Sequence, residues 1–227
     1  MGQVVSDQIS DLGGVTMRAV EPERVQHSHL VARDLKSGQY INLNGNYDYL
    51  GAGYYLSQDY ELAGLGIRPT CKEMLDGYIP PLFLEKARLA GIPVPEYYIS
   101  NGYFEPPVIV DPVNPFTLKG KVVLRSGRAR SIAKSLTRNY TYAVCCQQLP
   151  EDARIVYFQS VLGWSVKPRF RELSRHVWDA FGIPLATVRL IRTASDQLLL
   201  SDISPLFLED LGILGTRYLE ERVSWDS

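Results

Sequence analysis

The sequence predicts an α/β protein in which a small βαβ-like unit precedes a larger lobe built on a mixed sheet. Short runs of β-favouring residues, such as QYINLN, alternate along the chain with amphipathic segments such as FRELSRHVWDAFG. Glycines and prolines separate most of these segments and mark turns. With 227 residues, 45% of them hydrophobic and 22% charged, the chain can bury one substantial core or two small lobes.

The N-terminal part, residues 1–75, is predicted to hold a flexible tail and the βαβ-like unit. Residues 1 to about 30 are polar and weakly periodic, which is typical of a partly ordered tail. QYINLN is expected to form a strand that turns at NGNYD into a helix over residues 54–65. Gly64 and Gly66 then end the helix ahead of a short strand at IRPT.

The remaining part, residues 76–227, is predicted to form the larger lobe. The proline-bracketed stretch between about Thr70 and Pro81 is expected to separate it from the first unit. Helices are predicted in LFLEKARLAG, ARSIAKSLTRN and FRELSRHVWDAFG, and a last helix from about Leu208. Strands are predicted in PVIV, KGKVVLRS, YTYAVCCQQL, RIVYFQSVLG, ATVRLIRT and LLLSDIS.

Composition excludes several classes of protein. A net charge of −1 argues against nucleic acid as the main partner, because binding to phosphates usually needs a basic excess. Three cysteines without CxxC spacing predict neither a disulfide framework nor a zinc site. Without a secretory start or a long apolar run, the chain is expected to be cytoplasmic and to bind no membrane. MGQVVS also fits the short pattern for myristoylation at Gly2, which is common by chance.

A first candidate ligand site surrounds the predicted strand-to-helix turn. Asn44 and Asn46 follow the strand at its carboxyl end, where open α/β sheets usually bind ligands. Tyr54 and Tyr55 come directly after the glycines of GAG, which would let backbone approach a ligand while the rings stack on it. An ordinary turn with amphipathic tyrosines explains the same pattern equally well.

A second candidate site is basic. Arg125, Arg128 and Arg130 lie at the start of the helix predicted in ARSIAKSLTRN, and arginines offer paired donors to phosphate or carboxylate oxygens. They predict a site for a phosphate, an acidic peptide or a carboxylate substrate. The alternative is a solvated helix face.

Two long stretches carry a resemblance to a known family. They are YINLNGNYDYLGAGYYLSQDYELAGLGIRPTCKEML and FRELSRHVWDAFGIPLATVRLIRTASDQLLLSDISPLFLEDL. Both are similar to the RimK-like ATP-grasp N-terminal domain, an accessory module found ahead of ATP-dependent carboxylate–amine ligases. The resemblance implies a pre-ATP-grasp-like unit followed by an ATP-grasp-like lobe, with no certain cofactor. It also implies a partner, either a separate ATP-grasp ligase or its peptide or amino-acid substrate.

The middle and end of the chain also resemble a shortened ATP-grasp ligase. PPVIVDPVN sits where the family has its phosphate-contacting lysine strand. YAVCCQQLPEDARI is similar to the adenine hinge, which would make Gln147 and Gln148 nucleotide contacts. LLLSDISPL is similar to the metal-binding strand, which would make Asp202 a metal ligand. This resemblance implies ATP and Mg²⁺ as cofactors.

The same alignment departs from the family at its chemistry. The expected lysine is Asp111, which has the wrong charge for nucleotide phosphates. The expected asparagine is Ser204, and the earlier acidic ligand falls at Val188 or Arg189. The role of the missing lysine could pass to the lysines of TLKGKVV, which are Lys119 and Lys121.

The sequence therefore supports two functions. The first is an accessory or substrate-binding module of a RimK-like ATP-grasp ligase system that is catalytically degenerate by itself. The alternative is a minimal, divergent carboxylate–amine ligase that uses ATP and Mg²⁺.

Overall fold

Eleven strands and six helices make up the described part of the chain. The computed structural model describes residues 30–114 and 120–225. The strands are β1 (Val31–Asp34), β2 (Tyr40–Asn42), β3 (Ile67–Arg68), β4 (Tyr97–Ser100), β5 (Val108–Pro112), β6 (Lys121–Val123), β7 (Val144–Gln148), β8 (Arg154–Val161), β9 (Leu185–Arg192), β10 (Leu198–Ser204) and β11 (Val223–Trp225). The helices are α1 (Ala52–Leu62), α2 (Cys71–Tyr78), α3 (Pro80–Leu89), α4 (Ala129–Leu136), α5 (Arg171–Phe181) and α6 (Ile213–Glu220).

The strands form three sheets, and this arrangement confirms the predicted α/β class. The end sheet has the order β11-β1-β2-β3, the small-lobe sheet β4-β7-β5-β6 and the long-strand sheet β10-β9-β8. All pairings are antiparallel within the described residues except that of β2 with β3.

The end sheet joins the two ends of the described chain. β11 pairs with β1 through the register Ala32 to Trp225, so C-terminal residues complete the sheet of the N-terminal unit. The predicted domain boundary between residues 75 and 76 falls inside α2. The division into 1–75 and 76–227 stays a prediction.

The largest hydrophobic core lies between the long-strand sheet and the helices α2, α3 and α5. Phe83 of α3 and Phe181 of α5 are fully buried, with ring centroids 4.7 Å apart. Met74 of α2 joins them against Val188 and Leu200 of the sheet. Each such side chain stabilises the fold by about 1.5–3 kcal/mol. The long-strand sheet is thereby held rigidly behind the site described below.

The small-lobe sheet has a separate core under α4. β5 is buried along its whole length, and its residues Val108 and Val110 pack with Ala133 and Leu136 of the helix. Because successive side chains of a strand point to opposite faces, Ile109 and Asp111 face away from α4. They face the long-strand sheet instead, and this places Asp111 at the site.

Helix α2 was not predicted from the sequence. It begins with a capping box, in which the Thr70 hydroxyl accepts the Glu73 N–H at 3.1 Å. The Glu73 carboxylate in turn accepts the Thr70 N–H at 2.8 Å. T-x-x-E is a known helix-start signal, so the sequence did contain the information.

Two predicted helix bounds were wrong. The helix predicted in residues 129–139 ends at Leu136, and residues 138–140 have positive φ, which a helix cannot continue. The last helix begins at Ile213 rather than near Leu208, which lies in a 3₁₀ turn. All six helices are short, and none in residues 30–114 and 120–225 has the length and apolar character needed to cross a membrane.

Candidate functional site

A cleft of about 660 Å³, the central cleft, opens where the end sheet, the small-lobe sheet and the long-strand sheet approach one another. Asp48 reaches it from the loop after β2, and Tyr78 from the end of α2. Asp111 comes from β5, while Arg189 and Asp202 come from the neighbouring strands β9 and β10. Three of these five side chains carry a carboxyl group, one a guanidinium and one a phenol hydroxyl.

A buried ion pair joins the two sheets at the base of the cleft. The Arg189 guanidinium donates to both carboxylate oxygens of Asp111, at 3.0 Å to Oδ1 and 2.6 Å to Oδ2. Gln147 donates to the same carboxylate at 2.7 Å, and Ser201 bonds both Gln147 and Arg189. A side chain at Gly120 would collide with Asp111 Oδ1, since its Cβ would lie 1.9 Å away. Arg189, Gln147 and the backbone at Gly120 therefore enclose most of the Asp111 carboxylate.

The carboxyl group of Asp202 has a weaker contact with the Arg189 cation than that of Asp111 has. Its carboxylate lies 3.6 Å from the Arg189 guanidinium, which already serves Asp111. Burial raises the pKa of Asp202 to about 7, and the nearby Asp111 charge adds to the rise, while Arg189 opposes it. Burial also raises the pKa of Asp48. Although burial alone would lower the pKa of Arg189, Asp202 and Asp111 raise it, so this residue stays charged.

The sheets touch directly beside the ion pair. Ile109 of β5 packs against Ile191 of β9 and Leu199 of β10 in one apolar cluster. Ile109 and Ile191 are 1% and 0% exposed, so this contact between the two sheets leaves no gap around them. Further apolar side chains from β8 and the loop before it pack on the cluster: Leu149, Ala153 and Ile155.

Aromatic side chains line the rest of the cleft. Tyr49, Tyr157 and Phe207 keep part of their surface exposed toward it. The Tyr78 hydroxyl is buried and forms no hydrogen bond with a described residue, although a backbone group of Tyr47 lies near it. Burial raises the pKa of Tyr78 well above its usual value, so the hydroxyl stays protonated.

The first predicted ligand site is only partly brought together. Asn46 lines the central cleft, whereas Asn44, Tyr54 and Tyr55 are not among the residues that line it. The ring of Tyr54 instead packs edge-on against Tyr49, at 5.2 Å between centroids. Tyr55 is exposed. These four residues thus flank one tight turn without forming one pocket.

The predicted basic site lies elsewhere. Arg125, Arg128 and Arg130 are exposed on the small lobe: the first directly precedes a 3₁₀ turn over residues 126–128, the second ends it and the third lies in the first turn of α4. Arg125 and Arg130 line a second groove together with Tyr103 and Tyr140. This groove shares no lining residue with the central cleft.

The residues that the ligase resemblance assigned to nucleotide and metal binding differ in burial and in whether they line the cleft. Gln147 is buried in the ion-pair network, whereas Gln148 is exposed at the end of β7. Lys121 is exposed on β6, and Lys119 lies outside the described residues, as does Gly2. Asp202 does line the cleft. Within the described ranges, however, no three His, Cys, Asp or Glu side chains are grouped so that they could hold a metal ion.

Sequence reasoning missed the partnership at the centre of this site. Asp111 was noted as having the wrong charge, and Val188 or Arg189 as replacing an acidic ligand, but the contact of Asp111 with Arg189 joins residues 78 positions apart. The available signal was that an acid stands where the ligase resemblance expects a lysine and that Arg189 is one of the two positions at which it expects an acid. Asp48, Tyr78 and Tyr157 carried no such signal.

Three solved structures illustrate what the fold is similar to. The crystal structure of a RimK domain ATP-grasp protein from Sphaerobacter thermophilus matches with a TM-score of 0.56 and 17% identity, over 74% of this chain and 72% of that one. D-alanine–D-alanine ligase from Helicobacter pylori matches at 0.53 and 15%, over 76% and 67%. The ATP-grasp ligase PsnB, complexed with minimal precursor, Mg and ADP, matches at 0.51 and 15%, over 74% and 66%. This chain therefore spans about two thirds to three quarters of their lengths.

Comparison of sequences shows less similarity to known proteins than comparison of structures does. No protein-family model matches the chain, and no curated protein matches it either. At identities of 15–17%, the solved structures show the fold alone. Both the sheets and these comparisons agree with the resemblance noted in the sequence, and the chain has an ATP-grasp-like fold.

Proposed function

We propose that the chain is a catalytically inactive accessory or substrate-binding module of an ATP-grasp ligase system. The observation that carries this proposal is the buried pair of Asp111 and Arg189. Asp111 lies where the ligase resemblance calls for a lysine, and the acidic metal ligand falls at Val188 or Arg189, so neither position keeps the charge that the ligase chemistry needs. The fold implies ATP and Mg²⁺ as cofactors, and the residues present do not fit them.

The phosphate contacts are the first misfit. Phosphoryl transfer depends on positive charge placed on the nucleotide phosphates. Asp111 would repel them, and Arg189, which lies beside it among residues 30–114 and 120–225, already donates two hydrogen bonds to Asp111. Freeing Arg189 for a phosphate would leave the Asp111 carboxylate buried without its charged partner, which costs several kcal/mol.

The metal contacts are the second misfit. Mg²⁺ binds through oxygen ligands in octahedral geometry, with carboxylates as its usual protein ligands. Asp202 alone offers a carboxylate on β10, and the Arg189 cation lies 3.6 Å from it. A cation at that distance competes with the metal for the same charge.

The adenine slot is the third misfit. The hinge residue Gln147 is held by Asp111 and Ser201, so its side chain is not free for a base. The contact of Ile109 with Ile191 and Leu199 closes the space between the sheets. A nucleotide would have to separate these buried side chains, and their burial is worth about 1.5–3 kcal/mol each.

A binding role does not require any of these contacts. The volume of the central cleft lies in the usual range for small-molecule sites, about 300–1,000 Å³. Its partners would be a separate ATP-grasp ligase or the peptide or amino-acid substrate of that ligase, with the chemistry performed by the other protein.

The test is a measurement of ATP turnover and ATP binding. The purified chain is incubated with ATP, Mg²⁺ and a mixture of amino acids, and ADP and phosphate are quantified; titration calorimetry follows ATP–Mg²⁺ binding. We expect no ADP above the protein-free blank and no saturable heat, because at least two contacts worth several kcal/mol are missing.

Variants make a positive result interpretable. If ADP forms, the assay is repeated with Asp202→Asn and Lys119→Ala, and with the exposed carboxylate change Asp196→Asn as the matched control. Turnover lost in the first two variants and kept in the third would establish the minimal ligase and refute the proposal. Turnover that is equal in all three variants belongs to a contaminating enzyme and leaves the chain inactive, as proposed.

A further inference from the structure

The second groove, of about 850 Å³, lies on the small lobe. Three segments of the chain form its walls: the loop after β4, the residues after β6 and the loop after α4. We call it the basic groove and define it by Tyr103, Leu124, Arg125, Arg130 and Tyr140. None of these residues carries the argument for the function proposed above.

Positive charge is concentrated in the part of the chain that contains the basic groove. Residues 112–150 contain seven basic and no acidic residues, although the net charge of the whole chain is −1. The seven are Lys119, Lys121, Arg125, Arg128, Arg130, Lys134 and Arg138. The small lobe is therefore positive on a protein whose other parts are negative, and such asymmetry is typical of a surface that meets an acidic partner.

The arginines of the groove are free to bind. Arg125 and Arg130 are exposed, and neither forms an ion pair with any residue in 30–114 or 120–225. Glu105 is the acidic residue of the groove lining among the described residues, and it does not pair with them. Two guanidinium groups in one groove can each clamp a carboxylate through two hydrogen bonds.

The groove also exposes apolar surface. Tyr103 is 74% exposed, Leu124 65% and Tyr140 40%. The loop that presents Tyr103 is held in place, since the Ser100 hydroxyl donates to the Tyr103 carbonyl at 2.6 Å and accepts its N–H at 3.2 Å. Tyr103 is thus an exposed aromatic ring on an ordered loop, with arginines from another segment beside it. Such surfaces are typical sites at which partner side chains anchor.

We infer that the basic groove docks a short acidic segment of a partner protein, one that carries Asp or Glu together with an aromatic or large apolar residue. The carboxylates pair with Arg125 and Arg130, and the apolar residue packs between Tyr103, Leu124 and Tyr140. Charge complementarity identifies the occupant, because the groove offers two unpaired cations and three exposed apolar side chains to the same ligand.

A protein segment fits better than a nucleic acid. A long polyanion gains affinity from many phosphate contacts along an extended basic track, and it would also meet the negative charge of the rest of the chain. The lining of the basic groove holds two cations, Arg125 and Arg130, which match a few carboxylates. Nucleic acid is therefore the competing outcome of the experiment.

The experiment measures peptide binding by fluorescence anisotropy at about 50 mM salt, where charge pairing is weakly screened. The probe is a labelled ten-residue peptide of alternating Glu and Tyr, compared with a Lys and Tyr peptide and a labelled oligothymidylate of equal length. We expect saturable binding of the Glu and Tyr peptide alone. Arg125→Glu with Arg130→Glu should weaken it by about tenfold or more, and Tyr103→Ala should weaken it by a smaller factor.

Matched variants separate the groove from the overall charge. Lys167→Glu with Arg175→Glu changes the net charge equally at exposed positions outside the groove, and Tyr55→Ala removes an exposed tyrosine elsewhere. Both controls should bind like the parent. Equal weakening by the two charge-reversed pairs, tighter binding of the oligothymidylate, or no binding of the acidic peptide would each overturn the inference. ATP turnover does not enter any of these measurements, so this result and that of the proposed function are independent.

Discussion

The central cleft and the basic groove both contain arginine, but the arginine of the cleft is buried and paired, whereas those of the groove are exposed. Arg189 is 9% exposed and donates to Asp111 and Ser201, so its charge is part of the fold. Arg125 and Arg130 are exposed, and no described residue pairs with them. The same residue type therefore serves internal structure at one site and is available to a partner at the other.

Exposure to water explains why the two kinds of arginine differ in their contribution to the fold. A buried cation that loses its carboxylate must remain charged in a poorly polarisable interior, which costs several kcal/mol. An exposed cation is hydrated with or without a partner, so its pairing contributes little to stability. Exposed, unpaired arginines can thus bind and release a ligand without a change in the fold, whereas Arg189 cannot.

Replacing Arg189 should give the largest effect. Arg189→Met leaves Asp111 and Asp202 buried near each other without a cation, and it should lower the free energy of unfolding by about 3–5 kcal/mol. Urea unfolding monitored by fluorescence measures the loss. A double variant, Asp111→Leu with Arg189→Met, removes both charges and should be more stable than the single variant.

The control for that prediction lies on the same strand. Arg192 of β9 pairs with Asp196 at the exposed end of the sheet, so Arg192→Met should cost less than about 1 kcal/mol. Similar losses for Arg189→Met and Arg192→Met would mean that burial of the cleft pair adds nothing, and the contrast between the two regions would disappear.

Asp202 should make stability depend on pH. Its folded pKa of about 7 lies above the ordinary value of 3.8, so the folded state holds a proton that the unfolded state has released. Raising the pH between these values therefore removes stability. The amide of Asp202→Asn does not titrate in this range. The free energy of unfolding of this variant should therefore increase relative to that of the parent as the pH rises from 4 to 7.

The measurement is urea unfolding of both proteins at several pH values across that window, with Asp196→Asn as an exposed control. Other groups titrate alike in parent and variant, so only their difference is interpreted. Arg189 and Asp111 face Asp202 in the cleft and Asp48 lies near it, and all three are kept in both proteins. A difference that stays constant with pH, or shrinks as the pH rises, would contradict the raised pKa of Asp202.

Local sequence patterns predicted much of the fold. RIVYFQSVLG and ATVRLIRT became the long strands β8 and β9, because β-favouring residues run through each segment without a helix-forming pattern. FRELSRHVWDAFG became α5, which ends at Gly182 with a left-handed φ of 65°, as its glycine predicts. The strands that were not predicted, such as β1 and β11, have three or four residues and therefore too few positions to show a period.

The site was harder to predict because tertiary contacts create it. Asp111 and Arg189 lie on strands of different sheets, and nothing local to either residue indicates the other. Asn46 lines the central cleft, whereas Asn44, Tyr54 and Tyr55, which were expected at the same ligand site, do not. At Gly53 a side chain would approach the Asn46 carbonyl to 2.2 Å, so α1 starts too close to the turn for a ligand to enter between them.

The arginines of the small lobe should give the smallest effect on stability. Exposed substitutions away from special contacts usually change stability by less than about 0.5 kcal/mol, and Arg125, Arg128 and Arg130 are all exposed. Their charges also repel one another and that of Lys134, so a triple change to alanine should be neutral or slightly stabilising at about 20 mM salt. That small gain should fade at about 500 mM salt, because salt screens exposed charges. Urea unfolding of parent and variant at both salt concentrations measures it. A loss above about 1.5 kcal/mol at either concentration would mean that these arginines hold the small lobe together, as Arg189 holds the cleft, and that they are not free for a partner.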